Sequence, residues 1–383
     1  MIVNIEFLDN EPIENMMTSL HFAVDKTIFF GYEEIVESKK KVTERFLKKY
    51  CGVREVEFCV LPENRLETIV KTMRKVIRGE QEKGNQVFID ITGGEDLLLV
   101  AFGMVAQSEK LPMHIFDVET QKLTELNVEE MKPISQVAKK QAFKMNLDAL
   151  IEMRGGMINY HLQKDVKNLD NPEFAKDIDS LWEVSSKYGE KWNFFADFLR
   201  RCCEPDEELW VNISGKQVIA ALRKINRFRS VREIGRILKD CANIGVLEEF
   251  EHNQEYLFFR YKTQRHKELL WDAGSILEMH TFMEERKHAD DCRVGVHLDW
   301  DGVIYNHSGK DTLNEVDVLS LHGVIPTFIS CKNGSVNQMA LYELETVAER
   351  FGGKYAKKAI AAPQGLNDTH SLRAKEMDIE VRS

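Results

Sequence analysis

From Met1 to about Thr124, short apolar runs alternate with longer stretches in which apolar residues recur every three or four positions. The runs IVNIEFL (Ile2 to Leu8), KTIFFGY (Lys26 to Tyr32), EVEFCVL (Glu55 to Leu61), VFIDIT (Val87 to Thr92) and MHIFDVE (Met113 to Glu119) predict strands, rich as they are in β-branched and aromatic residues. Between them, EEIVESKKKVTERFLKKY and NRLETIVKTMRKVIRGE carry one apolar face and one charged face, and DLLLVAFGMVAQ is an almost wholly apolar helix. Strand and helix in alternation predict a parallel sheet covered by helices, an α/β domain over residues 1–125.

The pattern then changes. Residues 126–205 read as a polar helical connector, including PISQVAKKQAFKMNLDALIEM and SLWEVSSKYGEKWNFFADFLRRC. Within residues 206–264, the helices SGKQVIAALRKIN and SVREIGRILKDCANIGV precede the strand pair VLEEFEH and EYLFFRYK, the order of a winged helix. The last region, residues 265–383, begins with the amphipathic helix GSILEMHTFMEERK. It continues with strands CRVGVHLDWD, NEVDVLSL and PTFISCK and the helix SVNQMALYELETVAERFGG, closed by glycines.

Candidate chemistry concentrates in that last region. Residues two apart on a strand share a face, so Glu315 and Asp317 point one way, as do Ser330 and Lys332 on the next strand. Two carboxylates and an ammonium can then converge. Phosphodiester hydrolysis needs a cation to neutralise the phosphate and acidify a water, and carboxylate oxygens are natural ligands for Mg2+ or Mn2+. Asp317 sits among Val316, Val318 and Leu319, and charges set among core residues are costly unless paired or metal-bound. Glu278, on the preceding helix, offers a further carboxylate, and the Cys331 carbonyl a further metal ligand.

In a Rossmann-like sheet small molecules bind beyond the carboxyl ends of the strands, at the point where the strand order reverses. Here those ends are DNEPIEN, with Asp9 and Asn10, and the turn Thr92, Gly93, Gly94 that opens the apolar helix. Backbone N–H groups at such a helix start hold anions, although two glycines also suit a tight strand-to-helix turn alone.

Composition narrows the partners. A net charge of −11 argues against constitutive coating of nucleic acid, so any such contact needs a local patch. Arg223, Lys224, Arg227, Arg229, Arg232 and Arg236, with Phe228 among them, form one candidate, and Arg232, Arg236 and Lys239 would face a DNA groove. Glu248, Glu249, Glu251 and Glu255 on the hairpin oppose it, which favours a spacer or dimerisation role. Seven cysteines without a C-x-x-C pair indicate reduced thiols, and eleven histidines show no zinc spacing. With no apolar run long enough to span a bilayer and no signal-like start, no membrane contact and a cytoplasmic location are expected.

Together, Glu278, the Glu315-x-Asp317 pair and Ser330-Cys331-Lys332 resemble the PD-(D/E)XK restriction-endonuclease-like fold. The resemblance implies that Asp317 binds metal and Lys332 assists the attacking water. A serine, Ser330, stands where that fold normally has an acid. The sheet with a T-G-G turn after its fourth strand is similar to CARF domains, and the whole chain resembles the CARF-nuclease family of type III CRISPR systems. That likeness implies a homodimer, a cyclic oligoadenylate (commonly the tetra-adenylate) at the CARF interface, and switched-on, metal-dependent cleavage of single- or double-stranded DNA or RNA in antiviral defence. Many CARF domains follow T-G-G with Thr and Lys, whereas this chain has Glu95 and Asp96. The second reading is a ligand-responsive regulator that binds nucleic acid through the arginine cluster, with its nuclease domain disabled at Ser330.

Overall fold

The computed structural model describes all residues except 63–64, 127–130, 141–142, 163–166, 203–207, 226–230, 254 and 304–312. In the first half the chain runs β1 (Ile2–Phe7), α1 (Met17–His21), β2 (Lys26–Gly31), α2 (Glu33–Tyr50), β3 (Glu55–Val60), α3 (Leu66–Glu82), β4 (Gln86–Asp90), α4 (Asp96–Glu109), β5 (Met113–Asp117) and β6 (Lys122–Leu126). The sheet order is β3-β2-β1-β4-β5-β6, with β6 alone antiparallel. Every residue of β2 is buried: Ile28, Phe29 and Phe30 form its apolar run, and the Lys26 charge is met by Glu57 and Glu80. The order reverses between β1 and β4, so the loop after β1 and the Thr92-Gly93-Gly94 turn after β4 share the expected crevice.

Next come α5 (Leu147–Met153), β7 (Met157–Ile158), α6 (Pro172–Tyr188) and α7 (Glu190–Cys202). The helix expected from Pro133 forms only at its end, as α5. Before it lie a single 3-10 turn at Ile134–Gln136 and an isolated bridge of Lys139 to Phe22, and Lys140 donates to the Ser19 carbonyl. Tertiary pairing here overrides helical spacing. The second long helix is broken in two at Gly189, whose φ of 55° favours glycine. A three-stranded antiparallel sheet follows, built from β8 (Trp210–Ser214), β9 (Leu247–His252) and β10 (Tyr256–Tyr261) in the order β8-β10-β9, with α8 (Gly215–Ile225) and α9 (Val231–Asn243) between β8 and β9.

The final sheet comprises β11 (Asp291–Asp299), β12 (Leu313–His322), β13 (Ile325–Cys331), β14 (Lys357–Ala361) and β15 (Ile379–Arg382). It is completed by β7, so the segment read as a connector supplies an edge strand. Helices α10 (Gln264–Trp271) and α11 (Ser275–Glu285) precede it, α12 (Gln338–Gly352) links β13 to β14, and α13 (Asp368–Glu376) links β14 to β15.

The two large sheets share one apolar core. Phe22, Phe29 and Phe46 of the first half belong to the same buried cluster as Leu298, Leu319, Phe328 and Phe351 of the second. At its edge the loop after β1 grips the end of α12. Glu11 forms a buried ion pair with Arg154 and accepts a hydrogen bond from the Lys354 amide at 3.0 Å. Glu14 accepts from the Tyr355 hydroxyl and pairs with the Lys354 ammonium, both at 2.6 Å. Gly353, at φ +70°, lies under this pair: a Cβ there would fall 2.1 Å from the Arg154 guanidinium and 2.2 Å from Glu11 Oε2.

Gly353→Ala therefore combines left-handed strain with displacement of the ion pair, and should lower stability by about 2 kcal/mol or more. Urea unfolding of the variant reads this directly, and an unchanged midpoint would show that the junction is not packed as described.

Candidate functional site

Antiparallel pairing of β12 with β13 aligns Val318 with Ile329, which places Asp317 beside Ser330 one step further along. There the carboxylate takes over as acceptor. Asp317 Oδ2 accepts from the Cys331 amide at 2.6 Å, the Ser330 hydroxyl at 3.2 Å and the Lys332 ammonium at 3.4 Å. Oδ1 has no hydrogen-bond donor among the described residues, and the side chain is 16% exposed. Asp317, Glu315, Ser330 and Lys332 all line one cavity of about 370 Å³, closed by Glu343, Leu344 and Val347 of α12. The four residues expected to converge on two neighbouring strands do so.

The other predicted members lie elsewhere. Glu278, buried on α11, is not on the cavity wall. The Cys331 thiol turns toward that helix, 3.6 Å from Thr281 Oγ1, and burial, then the charge of Asp317, pushes its titration far above the usual thiol range. It is an unreactive thiol. Glu315 is more exposed than Asp317 and lies 3.8 Å from His297 Nε2. Among the described residues no three His, Cys, Asp or Glu side chains form a ready-made metal cluster. Glu343 was missed by sequence reading. Helical spacing alone gives the signal, since Ala340, Glu343, Leu344 and Val347 fall on one face of α12. Glu345, one helical step away, instead binds Lys358 at 2.7 Å.

At the switch point the predicted ligand residues adjoin but serve different ends. Thr92 Oγ1 donates to Asp90 and accepts from the Phe116 amide at 3.0 Å, so its hydroxyl is consumed in shaping the turn. Gly93 packs so closely that a Cβ would meet Glu14 Oε2 at 2.8 Å, and Gly94 has φ 138°. Asp9 accepts from the Glu11 amide at 3.0 Å, and Asn10 is exposed. Beneath the loop lies a buried polar cluster. Glu6 accepts from Asn4 at 2.8 Å and from Asn15 at 3.3 Å, and Asn15 in turn accepts from the Asp9 amide at 3.0 Å. Burial, then the charge of Asp90, holds the Glu6 carboxyl well above its ordinary value of 4.5. Asp90 is kept below its own ordinary range despite burial, by His114, Thr18 and Thr92.

Of the arginine cluster, Arg223, Lys224, Arg232, Arg236 and Lys239 are exposed, whereas Arg227, Phe228 and Arg229 fall outside the described residues. Glu249, Glu251 and Glu255 of the hairpin are exposed as well. Among the described residues, no helix is long and apolar enough to cross a membrane.

No family model and no curated protein matches the chain. Among solved structures, protein VC1899 from Vibrio cholerae is similar over 100% of this chain and 93% of its own, with a TM-score of 0.72 at 15% identity. Can2 from Sulfobacillus thermosulfidooxidans, solved in complex with cyclic tetra-adenylate, is similar over 99% of this chain and 92% of its own, with a TM-score of 0.67 at 12% identity. The three share a fold along their whole length.

The buried Glu6 gives a signed pH test. In the folded protein it keeps a proton that the unfolded chain releases near 4.5, so its contribution is complete below that pH and is lost as pH rises toward the folded value. Compared with Glu6→Gln, the native chain should lose stability progressively over the range above about pH 5, where the unfolded chain has released the proton that folded Glu6 still holds. Urea midpoints that keep a constant separation between the two proteins across that range would refute the assignment.

Proposed function

We propose that this protein is a nucleotide-sensing, metal-dependent nuclease: the first sheet binds a cyclic oligoadenylate, most simply the tetra-adenylate, and the last sheet hydrolyses DNA or RNA in a type III CRISPR defence. The observation that carries the reading is the convergence of Asp317, Glu315, Ser330 and Lys332 in one cavity. Support for the sensing half comes from the whole-length likeness to a structure solved with cyclic tetra-adenylate, combined with the position of Asp9, Asn10 and the Thr92-Gly93-Gly94 turn at the switch point.

The residues present fit a hard divalent cation. Asp317 Oδ1 is free of donors, Glu315 and Glu343 share its cavity, and magnesium or manganese held by one or two carboxylates retains several waters. A bound cation would neutralise the scissile phosphate and acidify a water. Asp317 would hold it, with Glu315, Glu343, Glu278 and the Cys331 carbonyl as candidates to complete the sphere. The protein's own part is positional. Three donors fix Asp317 in one orientation, Ser330 acting as a donor to that carboxylate where the fold usually supplies a second acid. Lys332 places a positive charge beside it, suited to orienting the water and to steadying charge that develops on the phosphate.

A homodimer belongs to the same reading. On α4, Val100 is 53% exposed and Met104 49% exposed, one helical turn apart, on the helix that the Thr92-Gly93-Gly94 turn opens. An isologous contact there would bring two ligand turns together, as a cyclic symmetric ligand requires. The expression of this arrangement in solution is testable by sedimentation: Val100→Arg with Met104→Glu should convert a dimer to monomer, and a native chain that sediments as a monomer at all concentrations and with ligand would exclude it.

Cleavage is tested with manganese on single-stranded DNA, RNA and plasmid, with and without cyclic tetra-adenylate. Asp317→Ala should abolish activity and Lys332→Ala reduce it by about a hundredfold or more. Glu278→Gln that leaves both rate and manganese dependence unchanged would remove Glu278 from the metal sphere. If the native protein shifts nucleic acid without cutting it, and Arg232→Ala abolishes the shift, the chain is a regulator that uses its winged-helix-like segment rather than a nuclease.

A further inference from the structure

A second cavity, of about 530 Å³, opens at the junction of the two large sheets, lined by Asp9 and Asn10, by Lys39 of α2, by Arg154 after α5 and by Arg350 of α12. Three cations meet at one end of it. Lys39 is half-buried and makes no hydrogen bond or ion pair among the described residues. Burial, then the charges of Arg350 and Arg154, hold its ammonium below the usual lysine range, with Glu11 opposing. Arg350 donates to the carbonyls of Arg154 and Trp300, each at 2.6 Å, and has no carboxylate partner among the described residues. Arg154, its side chain 7% exposed, is paired with Glu11 but keeps a buried Nε–H without an acceptor.

The same walls carry three carboxylates, Asp9, Asp301 and Glu349, but among the described residues none of them pairs with Lys39, Arg154 or Arg350. Asp9 Oδ1 accepts from the Glu11 amide at 3.0 Å, Asp301 Oδ1 accepts from the Val303 amide at 2.9 Å, and Glu349 is exposed. Glu11 pairs with Arg154, which leaves Lys39 and Arg350 without a carboxylate partner among the described residues. Like charges gathered in a half-buried cavity are unfavourable until an anion joins them.

We propose that this cationic end is an anion subsite that takes a phosphate group, held by Lys39, Arg350 and the free Nε–H of Arg154, in the same cavity that Asp9 and Asn10 line. The assignment rests on the reading of the first sheet as a nucleotide sensor and extends it: a residue of α12, on the nuclease side, becomes part of the ligand site. The phosphate belongs either to the cyclic oligoadenylate or to a free phosphate anion.

Two probes separate the sources, cyclic tetra-adenylate by titration calorimetry and inorganic pyrophosphate by thermal shift, applied to the native chain, Lys39→Gln and Lys39→Glu. Lys39 has no bond to lose and is repelled by Arg350 and Arg154, so the ligand-free variants should melt no lower than the native chain. The expected result is an affinity for cyclic tetra-adenylate about tenfold weaker in Lys39→Gln, and weaker again in Lys39→Glu. Unchanged tetra-adenylate affinity, with pyrophosphate stabilising the native chain and not Lys39→Glu, supports the subsite with a free anion as its ligand. If neither probe distinguishes Lys39→Glu from the native chain, the subsite is wrong. A native chain that binds no tetra-adenylate sinks the sensing reading, and the pyrophosphate comparison then decides the subsite by itself.

Discussion

The buried pair of Glu11 and Arg154 is the constraint on which the rest of the molecule depends. Burial drives both partners toward their neutral forms, raising the carboxyl and lowering the guanidinium, and only their mutual attraction and the Lys354 amide oppose it. Such a pair is weak evidence of net stability, but removal of either partner alone leaves an uncompensated buried charge and is costly. It fixes the loop after β1, which belongs to the first sheet, to the segment that closes α12, which belongs to the last. With a shared apolar core behind it, the two sheets form one mechanical body.

Helix α12 turns that constraint into a connection. Its 15 residues make a rod about 22 Å long. Ala340, Glu343, Leu344 and Val347 wall the cavity of Asp317 and Lys332, while Arg350 lies in the junction cavity beside Arg154. Were the loop holding Glu11 and Glu14 to rearrange, its contacts at the end of this rod would change, and only a rod displaced as a unit would reshape the wall that carries Glu343. Such coupling requires a ligand that binds one arrangement of the junction better than the other.

Much of this architecture was legible in the residues, and the failures have physical causes. The strands β1 to β5 and helix α2 follow from apolar runs and helical spacing, most plainly where both sheet faces are buried, as in β1, β2 and β4, and less so in the partly exposed edge strand β3. The meeting of Asp317 with Lys332 was legible from the two-residue period of adjacent strands. Three features were hidden. The two-residue strand β7 is too short to carry a pattern, yet it completes the last sheet. The helix expected from Pro133 yields to pairing with residues more than a hundred positions away, which no local spacing reports. Arg154, Arg350 and Lys39 lie far apart in the chain and read singly as surface cations; only the fold assembles them.

The charge of the whole chain explains why assembly of that kind matters. At −11 the protein repels a polyanion at long range, so neither a nucleotide nor a nucleic acid is drawn in by bulk electrostatics. Recognition has to come from cations held at short range against low-dielectric walls, where screening is weak and position is fixed. Both cavities follow this logic, one with Lys332 beside Asp317 and the other with three cations facing Glu11. They differ in balance. In the first, a single ammonium is matched by a single carboxylate, leaving an acidic surplus from Glu315 and Glu343 that suits a metal ion. In the second, three cations share the walls with Asp9, Asp301 and Glu349, and what suits a phosphate is that Lys39 and Arg350 have no carboxylate partner among the described residues.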